Sequence, residues 1–280
     1  ELAEALPVAQ AEAQAAFGSG QVYIERFVAN ARHIEVQIFG DGQHFVHLGE
    51  RECSMQRRRQ KVLEEAGAPG LPEHMRTAMT EAAVALAKVS GYSGAGTVEF
   101  LYDPARAEFY FIEMNTRIQV EHPITEMITG RDLVREQLTV ASGAPLSFEQ
   151  SDIEFRGHAI EIRLNAENPD FGFMPSPGRL TAMRPPGGPF VRVDSGVGLG
   201  SEVSPFYDSL LAKIIVWSDT RASAIARMAG ALDELEVEGV ATTAGFLRKV
   251  IDVAEFRAGR YHTTFLEDWI AGSTKGGGDK

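Results

Sequence analysis

In the run Phe109-Tyr-Phe-Ile-Glu-Met-Asn-Thr-Arg-Ile-Gln-Val-Glu-His-Pro123, an alternating apolar segment passes directly into a dense set of polar and charged side chains. Glu113, Asn115, Arg117, Gln119 and Glu121 fall at every second position, so an extended backbone would send all five to one face. Two carboxylates, a carbonyl oxygen and a guanidinium on one face suit a cation, an oxyanion and a proton acceptor together. A solvated edge strand whose polar face meets water would show the same alternation.

Other residues extend this chemistry. Glu99 lies on an apolar run, 96–102, that reads as one arm of a hairpin with 108–113. Across such a hairpin Glu99 and Glu113 could approach one ion, with Asn115 adding an oxygen. Magnesium needs only a few hard oxygen ligands at a pocket wall, because nucleotide phosphates and water complete its shell. Two facing carboxylates without a cation would repel. Arg57-Arg-Arg-Gln-Lys61 is a cationic cluster in an acidic chain, either a solvated charge run or an anion site. Taken alone, His33 reads as a satisfied strand histidine and Arg163 as a salt-bridge partner.

These groups must be positioned by strands and a few helices. An Ala/Glu/Gln-rich helix opens the chain, and Gly18-Ser-Gly20 leads to a strand-like run from Gln21 to Phe27. A second strand, 33–39, puts Ile34, Val36 and Ile38 on one face and His33, Glu35 and Gln37 on the other. Gly40-Asp-Gly42 then offers the positive-φ residues of a hairpin that returns through 43–48. Pro72, the apolar series Met75, Met79, Ala82 or Ala83, Leu86 and Val89, and Gly91 describe an amphipathic helix against a sheet. Asp103-Pro104 turns the 96–102 and 108–113 strands, and one helix is expected around 128–142. Gly143-Ala-Pro145 is a plausible boundary. Beyond it, strands are expected at 157–164, 191–193 and 211–217, with a Pro/Gly-rich connection from Pro169 to Pro189. A helix at 220–235 carries Ile225, Met228, Leu232 and Leu235 on one side, capped by Asp219 or Thr220. The fold class is therefore α+β, without internal repeats or a coiled-coil heptad run.

The 280 residues, 44% of them hydrophobic, suffice for a large core. A net charge of −12, from 39 acidic and 27 basic residues, excludes a protein that coats nucleic acid or anionic membranes through bulk charge. The single cysteine, Cys53, excludes an internal disulfide and a multi-cysteine metal site, and makes a reducing cytoplasm the expected compartment. No apolar run of membrane-spanning length or secretory leader pattern is present. The chain begins at Glu1 inside a helical segment, so an upstream part is expected to have been removed; Gly272 to Lys280 read as a flexible tail.

Glu113-Met-Asn-Thr-Arg-Ile-Gln-Val-Glu-His-Pro123 resembles the catalytic signature of biotin carboxylases, ATP-grasp enzymes that load carbon dioxide onto biotin at the expense of ATP. Glu50-Arg-Glu-Cys-Ser-Met-Gln-Arg-Arg-Arg-Gln-Lys61, Gly94-Ala-Gly-Thr-Val-Glu-Phe100, Gly157-His-Ala-Ile-Glu-Ile-Arg-Leu-Asn-Ala166, Pro175-Ser-Pro-Gly178 and Tyr207-Asp-Ser209 continue the likeness in order. It covers about Gln21 to Trp269. The resemblance implies the end of an ATP-grasp lid subdomain at 1–28, an ATP-grasp catalytic subdomain at 29–150 built on an antiparallel sheet with flanking helices, a biotin carboxylase C-terminal α+β domain at 151–270, and a tail at 271–280.

The same resemblance implies roles. Glu25, Arg26, Val28 and Leu101 would bind the adenine, and His33 with Gln56 the ribose region. Glu99, Glu113 and Asn115 would hold the Mg2+ (or Mn2+) of MgATP, with Lys61 near the terminal phosphate and bicarbonate. Arg117, Gln119 and the backbone of Val120 would form the bicarbonate site, a guanidinium fork matching the planar anion. Glu121 would take the bicarbonate proton, which asks for surroundings that raise its basicity. Arg163 would stabilise the biotin enolate. Arg59 and Arg26 stand where the family often has other residues, which leaves their roles open. The partners implied are a biotin carboxyl carrier protein or domain, a carboxyltransferase and a homodimer mate, with neither nucleic acid nor membrane. No Met-Lys dipeptide of a carrier occurs, and the lid's glycine-rich phosphate loop does not lie in residues 1–21. The expected setting is an acetyl-, propionyl- or other acyl-CoA carboxylase; pyruvate or urea carboxylase, or a non-catalytic dimer-forming fragment, are the alternatives.

Overall fold

The computed structural model describes residues 1–275. In chain order the elements are α1 (Leu2–Phe17), β1 (Arg32–Asp41), β2 (Phe45–Arg57), β3 (Gln60–Ala66), α2 (Glu73–Ser90), β4 (Ser93–Asp103), β5 (Glu108–Asn115), α3 (His122–Thr129), α4 (Leu133–Ala141) and β6 (His158–Asn165). There follow β7 (Glu167–Asn168), β8 (Met174–Pro175), β9 (Gly178–Arg179), β10 (Ala182–Arg184), β11 (Val191–Ser195), β12 (Glu202–Val203) and β13 (Leu210–Ser218). The described chain ends with α5 (Arg221–Glu234), β14 (Glu236–Glu238), α6 (Ala244–Val250), α7 (Ala254–Arg257) and α8 (Phe265–Lys275).

Eight strands form one sheet in the order β11-β13-β6-β3-β2-β1-β4-β5, and its ladders are antiparallel. The ladder between β3 and β6 carries the sheet without a break across residue 150. Three two-stranded ladders, β7 with β8, β9 with β12 and β10 with β14, trim the C-terminal part.

Both faces of the central strands are covered, which is why polar positions that alternate like a solvent face are buried. On one face Ile34, Val36, Ile38, Val98 and Phe100 pack on Met75, Met79 and Ala83 of α2. That helix starts after Pro72 and stops at left-handed Gly91, φ 59°, as its end signals predict. Further along the sheet Ile160, Ile162, Ile214 and Val216 meet Ile225, Met228 and Leu232 of α5, whose N-cap is Thr220, accepting from the Ser223 amide. On the other face α3 seats Ile124 and Ile128 on Ala66, Ala159 and Ile215.

Four local expectations are corrected. Residues 21–27 form no ladder: Tyr23, Ile24 and Phe27 are exposed, and strand-like composition without a pairing edge leaves the chain merely extended. Of the hairpin glycines, only Gly42 has positive φ, 88°. Gly40 lies within β1, where a Cβ would stand 2.4 Å from the Tyr92 carbonyl oxygen, so its requirement is close approach. The single helix expected around 128–142 is two, because Gly130 turns left-handed and Asp132 caps a new helix by accepting from the Arg135 amide. Finally, α8 runs through Gly272 to Lys275, which removes the start of the expected tail; its remainder, 276–280, lies outside the described residues. Among the described residues no helix is long and apolar enough to cross a membrane.

Candidate active site

The extended run from Glu113 to Glu121 ends early. β5 stops at Asn115, and Pro123, which cannot donate a backbone hydrogen bond, sits in the first turn of α3. Between them the chain turns, with the His122 amide on the Gln119 carbonyl at 3.3 Å. Lys213 of β13 fixes the turn by donating to the Val120 carbonyl at 2.6 Å. All five side chains still line one cavity of about 390 Å3, together with Lys61, Glu99, Val120 and Arg163. A turn, rather than the pleat, brings them together.

The centre of the cavity is a lattice of opposite charges. Lys61 Nζ lies 2.6 Å from Glu35 Oε2, 2.7 Å from Glu121 Oε1 and 3.2 Å from Glu99 Oε1. The other oxygen of Glu121 faces Arg163 at 3.1 Å, and Arg163 Nε donates to Glu64 Oε1 at 2.6 Å. Glu121, the residue before α3, is 2% exposed, so its carboxylate is desolvated and clamped by two cations from β3 and β6. Burial alone would lower the Lys61 ammonium, but the carboxylate of Glu35, then Cys53, Glu121 and Glu99, raise it far above the ordinary lysine range. Burial would raise the Glu35 carboxyl, yet Lys61, Arg51 and His33 hold it at about 2. At Glu99 burial is likewise overcome by the His33 hydrogen bond and Lys61, again giving about 2. Lys61, Glu35 and Glu99 therefore stay charged at neutral pH.

Glu99 and Glu113 are direct partners in the β4–β5 ladder. Asn115 Nδ2 donates to Glu99 Oε1 at 3.0 Å and to Glu113 Oε1 at 3.1 Å. One donor reaching two facing carboxylates shows that their oxygens converge, and a set of hard oxygens fits magnesium. Arg117 is exposed at the cavity wall and donates to Asn115 Oδ1 at 3.3 Å. Gln119 is 6% exposed and engaged at both ends, donating to Glu99 at 2.8 Å and accepting from Arg51 at 3.2 Å. Its side chain therefore braces the wall rather than standing free.

Glu25, Arg26, Val28 and Leu101 line a second cleft of about 700 Å3 with Tyr110, Phe111 and Ile112. Arg26 hydrogen-bonds the Tyr110 hydroxyl, lies 5.0 Å from that ring's centroid and pairs with Glu108 at 3.6 Å. His33 does not line this cleft. It is the Cα partner of Leu101, contacts Gln56 at 2.9 Å through Nδ1 and Glu99 at 2.9 Å through Nε2, and so joins the apolar cleft to the charged cavity. The cluster at 57–61 disperses. Arg57 pairs with Glu167 at 2.6 Å and stacks 4.1 Å from the Phe173 centroid, while Arg58 and Arg59 form the left-handed tip of the β2–β3 turn. Arg59 lines the cavity.

Several participants went unassigned in the sequence. Arg51 is fully buried and donates to Glu35 (2.6 Å), Gln37 (2.6 Å), Thr125 (3.0 Å) and Thr97 (3.2 Å) as well as Gln119. It ties β1, β2, β4 and α3 behind the site. Glu35 shares the alternating face of His33, and Glu161 that of Arg163, so a period-of-two count around those residues finds both. Lys213 carries no comparable signal.

Residues 1–149 match the family described as carbamoyl-phosphate synthase L chain, ATP binding domain, and residues 161–268 match the biotin carboxylase C-terminal domain. Biotin carboxylase 1 of Bacillus subtilis is 52% identical over 270 residues, covering 96% of this chain and 60% of the relative. One of the pyruvate carboxylase subunits of Methanothermobacter thermautotrophicus is 52% identical over 273 residues, 97% of this chain and 55% of the relative. Among solved structures, the biotin carboxylase domain of a thermophilic 2-oxoglutarate carboxylase bound to bicarbonate superposes with a TM-score of 0.91 at 45% identity, covering 95% of this chain and 60% of that one. The chain thus spans half to three fifths of the length of these curated relatives.

Proposed function

From the premise that the chain belongs to the biotin carboxylase family of ATP-grasp proteins, we propose that it supplies the bicarbonate- and biotin-handling part of a site that carboxylates carrier-bound biotin with ATP. The observation that carries this reading is Glu121, a desolvated carboxylate held between Lys61 at 2.7 Å and Arg163 at 3.1 Å on the wall of the cavity that Arg117 also lines. An arriving bicarbonate and terminal phosphate compete for the two cations and release the carboxylate as a base.

Bicarbonate binds through the Arg117 fork and the Val120 backbone, and Glu121 accepts its proton. Its oxygen attacks the terminal phosphorus as the bond to ADP breaks, giving carboxyphosphate; Lys61 balances the moving charge. Carboxyphosphate divides into carbon dioxide and phosphate, the phosphate takes the N1 proton of biotin, and N1 attacks carbon dioxide. Arg163 faces the enolate oxygen formed meanwhile. The adenine lies in the cleft of Glu25, Arg26, Val28 and Leu101, with His33 and Gln56 toward the ribose. Glu99, Glu113 and Asn115 would hold Mg2+, which when bound would neutralise the phosphates.

A carrier protein or domain, a carboxyltransferase and a homodimer mate complete the reading. Relatives named for pyruvate and 2-oxoglutarate share this segment, so the acceptor, whether an acyl-CoA or one of these acids, is chosen by parts other than these residues. The test is bicarbonate-dependent ATP cleavage, with and without biotin, by the longest natural polypeptide that carries the chain. Glu121→Gln should lower it on the order of 100-fold or more while MgADP binding is retained. Undiminished cleavage in that variant would refute the assignment of the base.

A further inference from the structure

Glu161 is fully buried, and neither of its carboxylate oxygens receives a hydrogen bond. Its direct partner in the β3–β6 ladder is Glu64, also fully buried, whose Oε2 is equally bare while Oε1 accepts from Arg163. The nearby cations are committed elsewhere. Lys213, beside them on β13, gives its ammonium to the Val120 carbonyl and to Asp194 at 3.5 Å. Lys61 is held by Glu35, Glu99 and Glu121, and Arg163 divides itself between Glu64 and Glu121. Of the other titratable or charged side chains on the elements packed here, Glu50, Arg51, Glu52 and Cys53 on β2, Glu65 on β3, His158 on β6, and His122 and Glu126 on α3, none donates to Glu161. Two fully buried carboxylates facing each other across a ladder, three of their oxygens without a protein donor, cannot both stay ionised. A carboxylic acid is the donor that would join two of these oxygens, one of Glu161 and Oε2 of Glu64.

We propose that Glu64 and Glu161 share one proton, Glu161 as the acid and Glu64 as the carboxylate it donates to, and that this pair is a positioning device that aims the Arg163 guanidinium at Glu121. With the proton present, the pair carries a single negative charge, which matches one guanidinium. If the proton is lost, the second charge pulls Arg163 back toward the sheet and away from the cavity. If a second proton is gained, Arg163 keeps only Glu121. Burial, and then the charge of Glu64, push the Glu161 carboxyl well above the usual carboxylate range, and burial raises Glu64 against the opposing pull of Arg163. The inference rests on the proposed function only for the task given to Arg163; the shared proton stands on the geometry alone.

Infrared spectroscopy of the full-length protein in deuterated buffer tests the proton directly. A protonated carboxylic acid shows a carbonyl stretch above the amide band; it should be present at neutral pH in the wild type and absent in Glu161→Gln. The task of the pair is tested by biotin carboxylation against pH. Glu64→Gln should lower kcat on the order of 100-fold, the scale of a misplaced catalytic group, with the KM for MgATP retained. Glu161→Gln, which cannot ionise, should abolish the fall of kcat at alkaline pH that loss of the proton causes in the wild type. A wild type without the band at neutral pH, or a band that survives Glu161→Gln, would overturn the shared proton. An alkaline limb identical in Glu161→Gln and wild type would overturn the positioning role. Should Glu161→Gln not fold, the pH titration of the wild-type band decides. A wild type that shows the band but never carboxylates biotin would refute the function and leave the shared proton standing.

Discussion

Replacing Glu65 by glutamine removes one charge from a buried knot that joins distant parts of the chain. Glu65, fully buried on β3, accepts from His158 Nε2 of β6 at 2.6 Å, from Arg221 of α5 at 2.7 and 2.9 Å, and from the Tyr261 hydroxyl. Burial would raise its carboxyl, but the hydrogen bonds from His158 and Arg221 hold it at about 2 against an ordinary 4.5. That depression corresponds to about 3 kcal/mol of folding stability at neutral pH. A depressed carboxyl contributes fully above its unfolded value and loses the contribution as the pH falls through the folded one, so the stabilisation should fade from about 4.5 down to about 2. Glu65→Gln keeps the volume, and Arg221 keeps the Phe256 and Arg257 carbonyls, so packing is not in question. Urea unfolding at neutral pH should place the variant about 3 kcal/mol below the wild type, and the gap should narrow as the solution is acidified through that window. A gap below about 1 kcal/mol at neutral pH, the size expected of an exposed pair, or one indifferent to acid, would refute the reasoning.

Two further outcomes follow from packing. Gly40→Ala forces a methyl against the Tyr92 carbonyl and 3.0 Å from the Phe45 ring, and should cost about 1–3 kcal/mol in urea unfolding; a neutral result would show that the β1–β2 turn yields easily. Leu101→Glu places a charge in the cleft shared with Val28 and Ile112 and should weaken MgADP about tenfold or more in calorimetric titration; unaltered affinity would move the adenine elsewhere.

What the sequence disclosed depended on how local its cause was. The α2 helix was legible because Pro72 and Gly91 act on their own turns. The β4–β5 hairpin was legible because Asp103 and Pro104 do the same, the Asp103 side chain accepting from the Ala105 amide at 3.0 Å. The residues Glu113 to Glu121 were found for a partly mistaken reason: the period of two ends at Asn115, and the last three arrive through a turn fixed by Lys213, far away in sequence. Arg51, Glu64 and Glu161 could not be recognised as interior, because alternation tells which positions share a face and not whether a helix will cover it. Residues 21–27 failed for the complementary reason: β-propensity is a preference, and pairing requires a neighbour.

The β3–β6 ladder has a consequence for how such a chain can be rearranged. The two family segments, 1–149 and 161–268, meet inside a hydrogen-bonded sheet rather than at a surface. A recombination crossover at residues 150–157, although it falls outside every strand, would ask β3 of one parent to zip onto β6 of the other. Its success would depend on whether Leu63, Glu64, Glu65 and Ala66 find the opposite numbers that Ile162, Glu161, Ile160 and Ala159 provide. Produced separately, each half would carry a raw strand edge, and edges of that kind recruit copies of themselves. The seam is thus a place where inheritance is joint, and swapping at it exchanges partners in a ladder rather than modules on a string.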